Sequence, residues 1–389
     1  MPKFKSTPSD KPTSLTLSNE QKLNWLRLIR SHNVGPATFW RMINYFGGAE
    51  QALDRLPEFQ RRSNKRKSQP PPITTQMVER ELNAAHKYGA TLVARGEHGY
   101  PPTLAHLDAP PPLLYIKGDA NLTTLPAVAI VGSRNGSAVG QKFTRRLVQE
   151  LAQAGYAIVS GLARGIDTAA HTGALDQATM AVIAGGIDNY YPPQNKELQR
   201  QIEKTGLVIT ENPPGLEPRA RDFPRRNRII SGCALGTIVV EANLRSGSLI
   251  TARLASEQGR EVMAVPGHPT DPRAAGPNKL IMSGASMITC AQDVLDNLTP
   301  MSDIKRYEQA SLFEPDTDQH SIAKIDVEQS ARDLVLNALS TQAVEIDEII
   351  RATGLHSREV RIILLELELG GQLEHDGSQN IRLLEPLAS

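Results

Sequence analysis

The chain has 389 residues, of which 40% are hydrophobic and 22% are charged, and its formal net charge is +1. This length predicts about two to four domains, and the composition is typical of globular proteins rather than of disordered chains. No apolar run approaches the roughly 20 residues of a membrane span, and the polar N-terminus lacks the features of a secretory signal. The two cysteines, Cys233 and Cys290, exclude a disulfide framework and a cysteine-based metal site. We therefore expect a cytoplasmic protein with no membrane association, no metal ion and no cofactor.

The N-terminal quarter of the chain is basic and divides into a tail and a helical module. Residues 1–75 contain 13 Lys or Arg and 5 Asp or Glu, which is compatible with nucleic-acid contact in this region. Residues 1–18 are rich in Pro, Ser, Thr and Lys and predict a disordered tail. Residues 19–85 predict helices joined by a turn at Gly35-Pro36, with a basic loop at 61–72. This segment resembles a small helix-hairpin-helix or SAM-like module.

The central segment, residues 86–297, predicts an α/β domain. Short, continuously apolar segments alternate with helical ones, and continuous apolar strands are typical of a parallel sheet covered on both faces. We therefore predict a doubly wound, Rossmann-like parallel sheet. Its predicted strands are residues 127–131, 156–160, 180–184, 207–210, 236–241 and 261–265.

The C-terminal segment predicts a linker at 298–330 and a separate domain at 331–389. Three short helices followed by a hairpin that turns at Asp376-Gly377 indicate a winged helix. Residues 331–389 contain 5 Lys or Arg and 10 Asp or Glu. This acidic balance favours an interaction role for the domain over strong DNA binding.

Two loops that follow predicted strands combine small residues with an arginine. Gly132, Ser133 and Arg134 follow the first strand of the wound sheet, and Gly161 and Arg164 follow the second. Ligands bind at the carboxyl ends of such strands, where glycine lets the backbone approach a phosphate and arginine binds an anion through two hydrogen bonds. The spacing matches neither the dinucleotide fingerprint nor the P-loop. An ordinary tight turn is the alternative to a phosphate site.

The most basic stretch of the central domain surrounds Phe223. An aromatic ring among several arginines offers a stacking surface together with groups that neutralise phosphates, as sequence-independent binding of a single strand requires. The alternative is a solvated basic loop that leads into a helix. The candidate contacts in this stretch are Arg219, Arg221, Phe223, Arg225, Arg226, Asn227 and Arg228.

No set of residues in the chain predicts catalysis. Glu241, at the end of a strand, is a candidate acid or base, but it has no second carboxylate nearby in the sequence, and Asp188 is another lone candidate. Asp167 and His171 could pair, but a helix-capping Asp with a hydrogen-bonded His is the simpler interpretation. Ser248 lies at a predicted helix N-terminus whose amides could hold a phosphate. We therefore assign no catalytic residue.

Six segments of the chain together resemble the bacterial DNA-processing protein A (DprA/Smf) family. They cover about 200 residues in the order that the family has them. The segments are AIVGSR (129–134), SGLARGIDTAAHTGAL (160–175), FPRRNRIISG (223–232), GTIVVEANLRSGSLITARLA (236–255), VMAVPGHP (262–269) and GPNKLIMSGA (276–285).

The resemblance implies a DNA-binding mediator without established catalysis. Such proteins bind and protect incoming single-stranded DNA, load RecA recombinase onto it during natural transformation, and form homodimers through the wound domain. If the family's residue roles apply to the matching positions of this chain, Arg134 would contact phosphate, and Phe223 would stack on a base or wedge against it. The full set of predicted DNA contacts is Gly132, Ser133, Arg134, Gly161, Arg164, Arg219, Arg221, Phe223, Arg225, Arg226, Asn227, Arg228 and Ser248.

Two other functions fit parts of the sequence. The segment from Gly236 to Glu241 is similar to one in the lysine-decarboxylase-like (LOG) nucleotide phosphoribohydrolases, which share the wound sheet. The Phe223–Arg228 cluster argues against this enzyme, because a small-nucleotide pocket has no need of it. A purely structural scaffold leaves the arginines at the strand ends unexplained.

Overall fold

The computed structural model describes residues 16–63, 71–302, 329–376 and 380–384. Residues 1–15 of the predicted tail, residues 64–70 of the predicted basic loop, residues 303–328 of the predicted linker and the predicted turn at 377 lie outside this part. The helices are α1 (Asn19–Arg30), α2 (Pro36–Phe46), α3 (Ala49–Ser63), α4 (Thr75–Tyr88), α5 (Pro102–Ala105), α6 (Ala138–Gln153), α7 (Ile166–Gly173), α8 (Lys196–Thr205), α9 (Asp222–Gly232), α10 (Gly247–Glu257), α11 (Ala275–Met282), α12 (Ala291–Ser302), α13 (Gln329–Ala338), α14 (Ile346–Thr353) and α15 (Ser357–Leu369).

The strands form two sheets, one of nine strands and one of three. The strands are β1 (Thr91–Ala94), β2 (Leu113–Gly118), β3 (Ala127–Val131), β4 (Ala157–Ser160), β5 (Thr179–Val182), β6 (Leu207–Thr210), β7 (Gly236–Val239), β8 (Glu261–Ala264), β9 (Ser286–Met287), β10 (Val344–Glu345), β11 (Leu373–Asp376) and β12 (Asn380–Leu383). None of the helices in the described part combines the length and the hydrophobicity that a membrane crossing requires.

Local sequence signals fix the start of the N-terminal module. Ser18 and Gln21 form a capping box at the start of α1, and Pro36 occupies the first turn of α2, where its missing N–H costs no hydrogen bond. The rings of Trp25, Phe39 and Trp40 pack edge to face, with centroids 5.1–5.3 Å apart. Helix α3 continues to residue 63, so residues 61–63 are helical rather than part of the predicted loop.

The nine-stranded sheet has the order β1-β2-β6-β5-β4-β3-β7-β8-β9. Seven neighbouring strands of this sheet run parallel, in the spatial order β6-β5-β4-β3-β7-β8-β9. This confirms the predicted wound sheet. Two further strands extend the sheet beyond β6: β2 pairs antiparallel with β6, and β1 pairs antiparallel with β2 at the edge. Buried apolar side chains cover both faces of the sheet.

The path of the chain reverses at β3, and this reversal positions the site. β3 pairs with β4 on one side and with β7 on the other, and the next strand after each lies farther out in the sheet. The loops that follow β3 and β7 therefore diverge and leave a crevice at the carboxyl edge, which is the topological switch point of wound sheets.

The C-terminal residues form the predicted winged helix. Helices α13, α14 and α15 pack with a three-stranded sheet of order β10-β12-β11 around Val335, Ile349 and Ile363. Helix α12 extends to Ser302, so the chain is still helical where the linker was predicted to begin at 298. Helix α13 begins at Gln329, two residues before the predicted domain start at Ala331.

Candidate nucleic-acid interface

A cavity of about 650 Å³ opens at the switch point of the large sheet. We call it the switch-point cavity. Gly132, Ser133 and Arg134 line it after β3, and the turn before α10 lines it after β7. The sequence-predicted loop after the first strand therefore borders a cavity rather than making only a tight turn.

Glycines let the loops at this edge approach one another closely. A Cβ atom on Gly132 would lie 2.7 Å from the Ile166 side chain, and one on Gly161 would lie 2.1 Å from Nη1 of Arg226. A real Cβ cannot approach another heavy atom so closely. Gly161 thus leaves room for the Arg226 guanidinium.

Two aromatic rings and an arginine stand together at the mouth of the cavity. The ring centroids of Tyr191 and Phe223 are 5.4 Å apart with an interplanar angle of 51°, and the guanidinium carbon of Arg134 lies 5.3 Å from the Phe223 centroid. Tyr191 is 44% exposed. Aromatic faces beside a cation suit a nucleic acid, since bases stack and the cation binds phosphate.

These three side chains also line a side pocket of about 260 Å³. Arg164 and Gly161 line the side pocket only, whereas Arg134, Tyr191 and Phe223 line both it and the switch-point cavity. The aromatic pair therefore forms a ridge between two openings that arginines border on both sides.

The basic stretch after Phe223 is helix α9 rather than a loop, and its helical period separates the arginines. Residues three apart share a helix face, so Phe223 and Arg226 point to the switch-point cavity together with Asn227. Arg225 and Arg228 point the other way. They line, with Arg221, a second cavity of about 740 Å³. The resemblance implies that Arg226, Asn227 and Arg228 all contact DNA, and α9 divides them between two cavities.

Arg226 is the most buried arginine among the residues that the structure describes. It is buried, and its Nη1 donates a 2.6 Å hydrogen bond to the carbonyl oxygen of Val182 at the end of β5. Burial lowers the pKa of Arg226 to about 10, partly offset by the negative charge of Asp167. Burial raises the pKa of the Asp167 carboxyl, and Arg226 opposes that rise. Arg226 is thus fixed in place beneath the cavity floor.

Other predicted contacts have different surroundings. Arg228 forms an ion pair with Glu211. Arg219 is exposed and lines neither of the two larger cavities. Of the predicted arginines, Arg134 is the one that stands against an aromatic ring.

The start of α10 supplies the opposite wall. Ser248 is buried, its hydroxyl lies 2.6 Å from that of Ser246, and both residues line the cavity. Asn227 Nδ2 donates a 3.3 Å hydrogen bond to the carbonyl oxygen of Gly247 and so ties α9 to this turn. The first amides of a helix favour an anion.

The charged side chains that line the switch-point cavity are mostly cationic. They comprise the guanidinium groups of Arg134, Arg226 and Arg245 and one carboxylate, that of Asp167. Arg245 is exposed and has no ion pair with any residue that the structure describes. The cavity therefore favours an anionic ligand.

The side chains with catalytic potential have structural partners. Both oxygens of Glu241 accept hydrogen bonds from Ser137, at 2.8 Å from its amide and 2.6 Å from its hydroxyl, at the start of α6. Nδ1 of His171 lies 2.8 Å from the Thr179 hydroxyl, and burial lowers the pKa of His171 to about 3. Asp167 is the second residue of α7 rather than its cap. No group of three His, Cys, Asp or Glu side chains in the described ranges could hold a metal ion.

Sequence reasoning missed Tyr191 and Arg245. Tyr191 lies in the loop that follows β5 by several residues, so strand-end position alone does not mark it. Arg245 could have been predicted, because it lies in the loop that follows β7. This strand lies beside β3 at the switch point, and its loop places Arg245 next to Ser246.

The architecture defines the class of protein. A wound sheet with a basic, aromatic-lined cavity at its switch point, between an N-terminal helical module and a winged helix, is the arrangement of the bacterial DNA-processing proteins. Three family profiles match the chain in order: a DprA-like N-terminal HHH domain at 19–84, DNA recombination-mediator protein A at 91–299, and the DprA winged helix domain at 320–377. The chain belongs to the DNA recombination-mediator protein A family, also called DprA/Smf, as its motifs predicted.

Relatives of known name agree with this assignment. DNA processing protein DprA of Bacillus subtilis is 42% identical over 224 residues, which cover 57% of this chain and 75% of the relative. Protein Smf of Escherichia coli is 37% identical over 284 residues, which cover 72% and 74%.

Two solved structures are similar. DprA of Streptococcus pneumoniae has a TM-score of 0.60 at 34% identity and covers 72% of this chain and 98% of its own. DNA processing protein A of Helicobacter pylori, described for its single-stranded DNA binding mode, has a TM-score of 0.50 at 30% identity and covers 55% and 96%.

Proposed function

We propose that this protein binds single-stranded DNA without sequence specificity at the switch-point cavity, protects it, and loads RecA recombinase onto it during natural transformation. The observation that carries the proposal is the ridge of Tyr191 and Phe223 with Arg134 beside it. Such a ridge stacks any base and neutralises the adjoining phosphate, because every base has a π-face and every nucleotide has a charge. The single-strand binding described for the Helicobacter pylori relative supports the same ligand.

The arrangement of donors suits a backbone rather than a mononucleotide. The arginines lie on both sides of the ridge, in the switch-point cavity and in the side pocket, so a chain that crosses the ridge meets a cation before and after the stacked base. A lone nucleotide would use one side only. The site would therefore prefer an extended strand.

Binding is tested by fluorescence anisotropy with labelled oligo-dT and with its duplex across a salt series. We expect wild type to bind the single strand more tightly, with a steep loss of affinity as salt rises. Arg134→Ala should weaken binding and lower the salt slope by about one. The control is Arg146→Ala, which removes an exposed arginine of α6 that pairs with Glu150. Equal affinity for both DNA forms, or an unchanged slope in Arg134→Ala, would refute the proposed site.

Recombinase loading needs its own assay. Oligo-dT coated with single-strand binding protein blocks RecA, and we expect the wild-type chain to restore DNA-dependent ATP hydrolysis by RecA where Arg134→Ala does not. If wild type and Arg134→Ala restored ATP hydrolysis equally, RecA loading would not depend on the proposed DNA site.

We also propose that the protein works as a homodimer through the wound domain, in the cytoplasm. Met282, 89% exposed, and Met287, 56% exposed, lie beside and on β9, the last strand of the large sheet. Exposed apolar side chains at a sheet edge favour association. Sedimentation velocity should give a dimer for wild type and a monomer for Met282→Glu/Met287→Glu. A monomeric wild type would refute this part.

A further inference from the structure

Helix α15 of the winged helix is buried on two sides. Ile363 and Leu367 belong to the core of the winged helix itself. Ile362, Leu365 and Leu369 instead belong to the core of the N-terminal module, where α15 packs against α2 and α3. The third helix, which winged helices place in the major groove of DNA, is therefore engaged by another part of the same chain.

Polar contacts fix this docked position. The Glu368 carboxylate pairs with the Arg41 guanidinium and accepts a 2.9 Å hydrogen bond from the Thr38 hydroxyl, both on α2. Asn33 Nδ2 donates a 2.9 Å hydrogen bond to the carbonyl oxygen of Leu369. The winged helix thus contacts the turn between α1 and α2 as well as the helices.

The docked winged helix forms one wall of the second cavity. We call Arg221, at the N-cap of α9, and Arg225 and Arg228, within the helix, the α9 arginines. They line that cavity together with Glu368 and Glu374 from the winged helix. Its full charged lining, apart from His32, is four guanidinium groups and four carboxylates, those of Arg30, Arg221, Arg225, Arg228, Glu211, Asp222, Glu368 and Glu374. Without the winged helix the balance would be positive.

The α9 arginines in this cavity have guanidinium groups that could still bind an anion. Arg221 and Arg225 are exposed and form no ion pair with any residue that the structure describes. Nη1 of Arg228 is buried without a hydrogen-bond partner there. The arginines would neutralise phosphates, yet the two winged-helix carboxylates, Glu368 (paired with Arg41) and Glu374 (paired with Arg382), share their cavity and would repel the same phosphates.

We propose that the winged helix is an autoinhibitory domain: it docks through α15 on the N-terminal module and places Glu368 and Glu374 near the α9 arginines, which lowers their affinity for DNA phosphates. The proposal rests on single-strand binding at the neighbouring switch-point cavity. Undocking would remove carboxylates from the second cavity and extend the DNA path across α9 from one cavity to the other. The winged helix acts here by its charge and its apolar helix face, without reading DNA.

The test uses the full chain and two kinds of variant. Ile362→Gln/Leu365→Gln keeps the net charge, spares the core of the winged helix and removes the apolar docking contacts. Glu374→Gln leaves α15 docked and removes one carboxylate from the cavity. Its affinity for oligo-dT can be measured even if the first variant is unstable. The control is Glu348→Gln, the same change at an exposed position on α14, away from the cavity. Hydrogen exchange of α15 measures docking, and anisotropy with oligo-dT long enough to span both cavities measures affinity.

We expect the double variant Ile362→Gln/Leu365→Gln, here called the Gln pair, to show faster hydrogen exchange in α15 and to bind oligo-dT severalfold more tightly. Glu374→Gln should tighten it by about twofold, the effect of one charge across a hydrated cavity, and Glu348→Gln should not change it. Weaker or unchanged affinity in an undocked variant would overturn the proposal, as would unchanged exchange in α15 of the Gln pair. A wild type that fails to bind oligo-dT would instead refute the proposed function.

Discussion

The guanidinium carbon of Arg134 lies 5.3 Å from the ring centroid of Phe223, although 89 positions separate the two residues in the chain. Arg134 comes from the loop after β3 and Phe223 from the first turn of α9. The contact holds a phosphate-binding group and a base-stacking group in one unit.

The aromatic ridge should contribute affinity that does not depend on salt. Phe223→Ala and Tyr191→Ala should each weaken oligo-dT binding by about 1–3 kcal/mol, because each removes a stacking surface. The slope of affinity against salt should stay at its wild-type value, since no cation is lost. Anisotropy titrations at several salt concentrations measure both quantities.

Tyr191→Phe is the matched control for the ridge. It keeps the ring and removes the hydroxyl, so we expect near wild-type affinity. A loss as large as that of Tyr191→Ala would mean that the hydroxyl binds DNA and that stacking is not the contribution of this residue.

Arg228 should serve stability more than binding to short DNA. It pairs with Glu211, and both side chains are about four-fifths buried, so Arg228→Ala leaves a carboxylate without its partner. We expect a loss of about 1–3 kcal/mol in the free energy of unfolding, measured by urea titration. For an oligonucleotide that fills only the switch-point cavity, the loss of affinity should be smaller than in Arg134→Ala. A stable Arg228→Ala variant with the larger affinity defect would reverse this assignment.

Glu241 should support the fold and not a reaction. Glu241→Gln should leave DNA affinity unchanged, because the side chain lines neither larger cavity, and should lower stability by about 1 kcal/mol through the weakened bonds from Ser137. The assays are anisotropy, urea unfolding and incubation with nucleoside monophosphates. Release of free base by wild type that is lost in Glu241→Gln would favour the phosphoribohydrolase alternative.

His171 should make the protein less stable in mild acid. Burial holds its pKa near 3 in the folded state, whereas the unfolded chain takes up a proton near the ordinary value of 6.5. The unfolded state therefore binds more protons below pH 6.5, and stability falls as the pH drops toward 3. The slope is about 1.4 kcal/mol per pH unit. Asp167, with its pKa raised, contributes in the opposite direction.

Urea unfolding of wild type and His171→Asn at pH 7.5 and pH 5.5 measures the effect. The variant should be less stable at pH 7.5, since it loses the bond to Thr179. Its further loss at pH 5.5 should be smaller than that of wild type by about 1.4 kcal/mol, the contribution of one proton over this interval. An equal loss in both proteins would show that His171 is not the group that titrates.

The order of the elements could be predicted from the sequence where burial is uniform. The strands β3 to β8 lie in the middle of the sheet and read as continuous apolar runs, so their positions and their parallel direction followed. β1 and β2 escaped prediction because they extend the parallel sheet by antiparallel pairing, and because three prolines at 110–112 directly precede β2. The winged helix was readable because its helices are short and separated by clear breaks.

The sequence indicates which residue types form the site, but it indicates much less about their arrangement in space. Arg134 was found because position after a strand determines which edge of the sheet it reaches. The separation of Arg226 from Arg228 needs the rotation of α9 about its axis, which depends on packing against β5 and α10. The approach of Tyr191 to Phe223 depends on a loop path that no local pattern encodes. The docking of α15 likewise needs tertiary contacts, and only the acidic charge of the domain pointed toward it.

Photo-crosslinking shows directly whether a DNA base contacts the aromatic ridge. Oligo-dT that carries 5-iododeoxyuridine reacts on irradiation with aromatic side chains in contact with the base, and mass spectrometry locates the modified peptide. We expect crosslinks on Tyr191 or Phe223 that decrease in Arg134→Ala and persist in Arg146→Ala. Crosslinks confined to the N-terminal module or to the winged helix, with none at Tyr191 or Phe223, would contradict the proposed site.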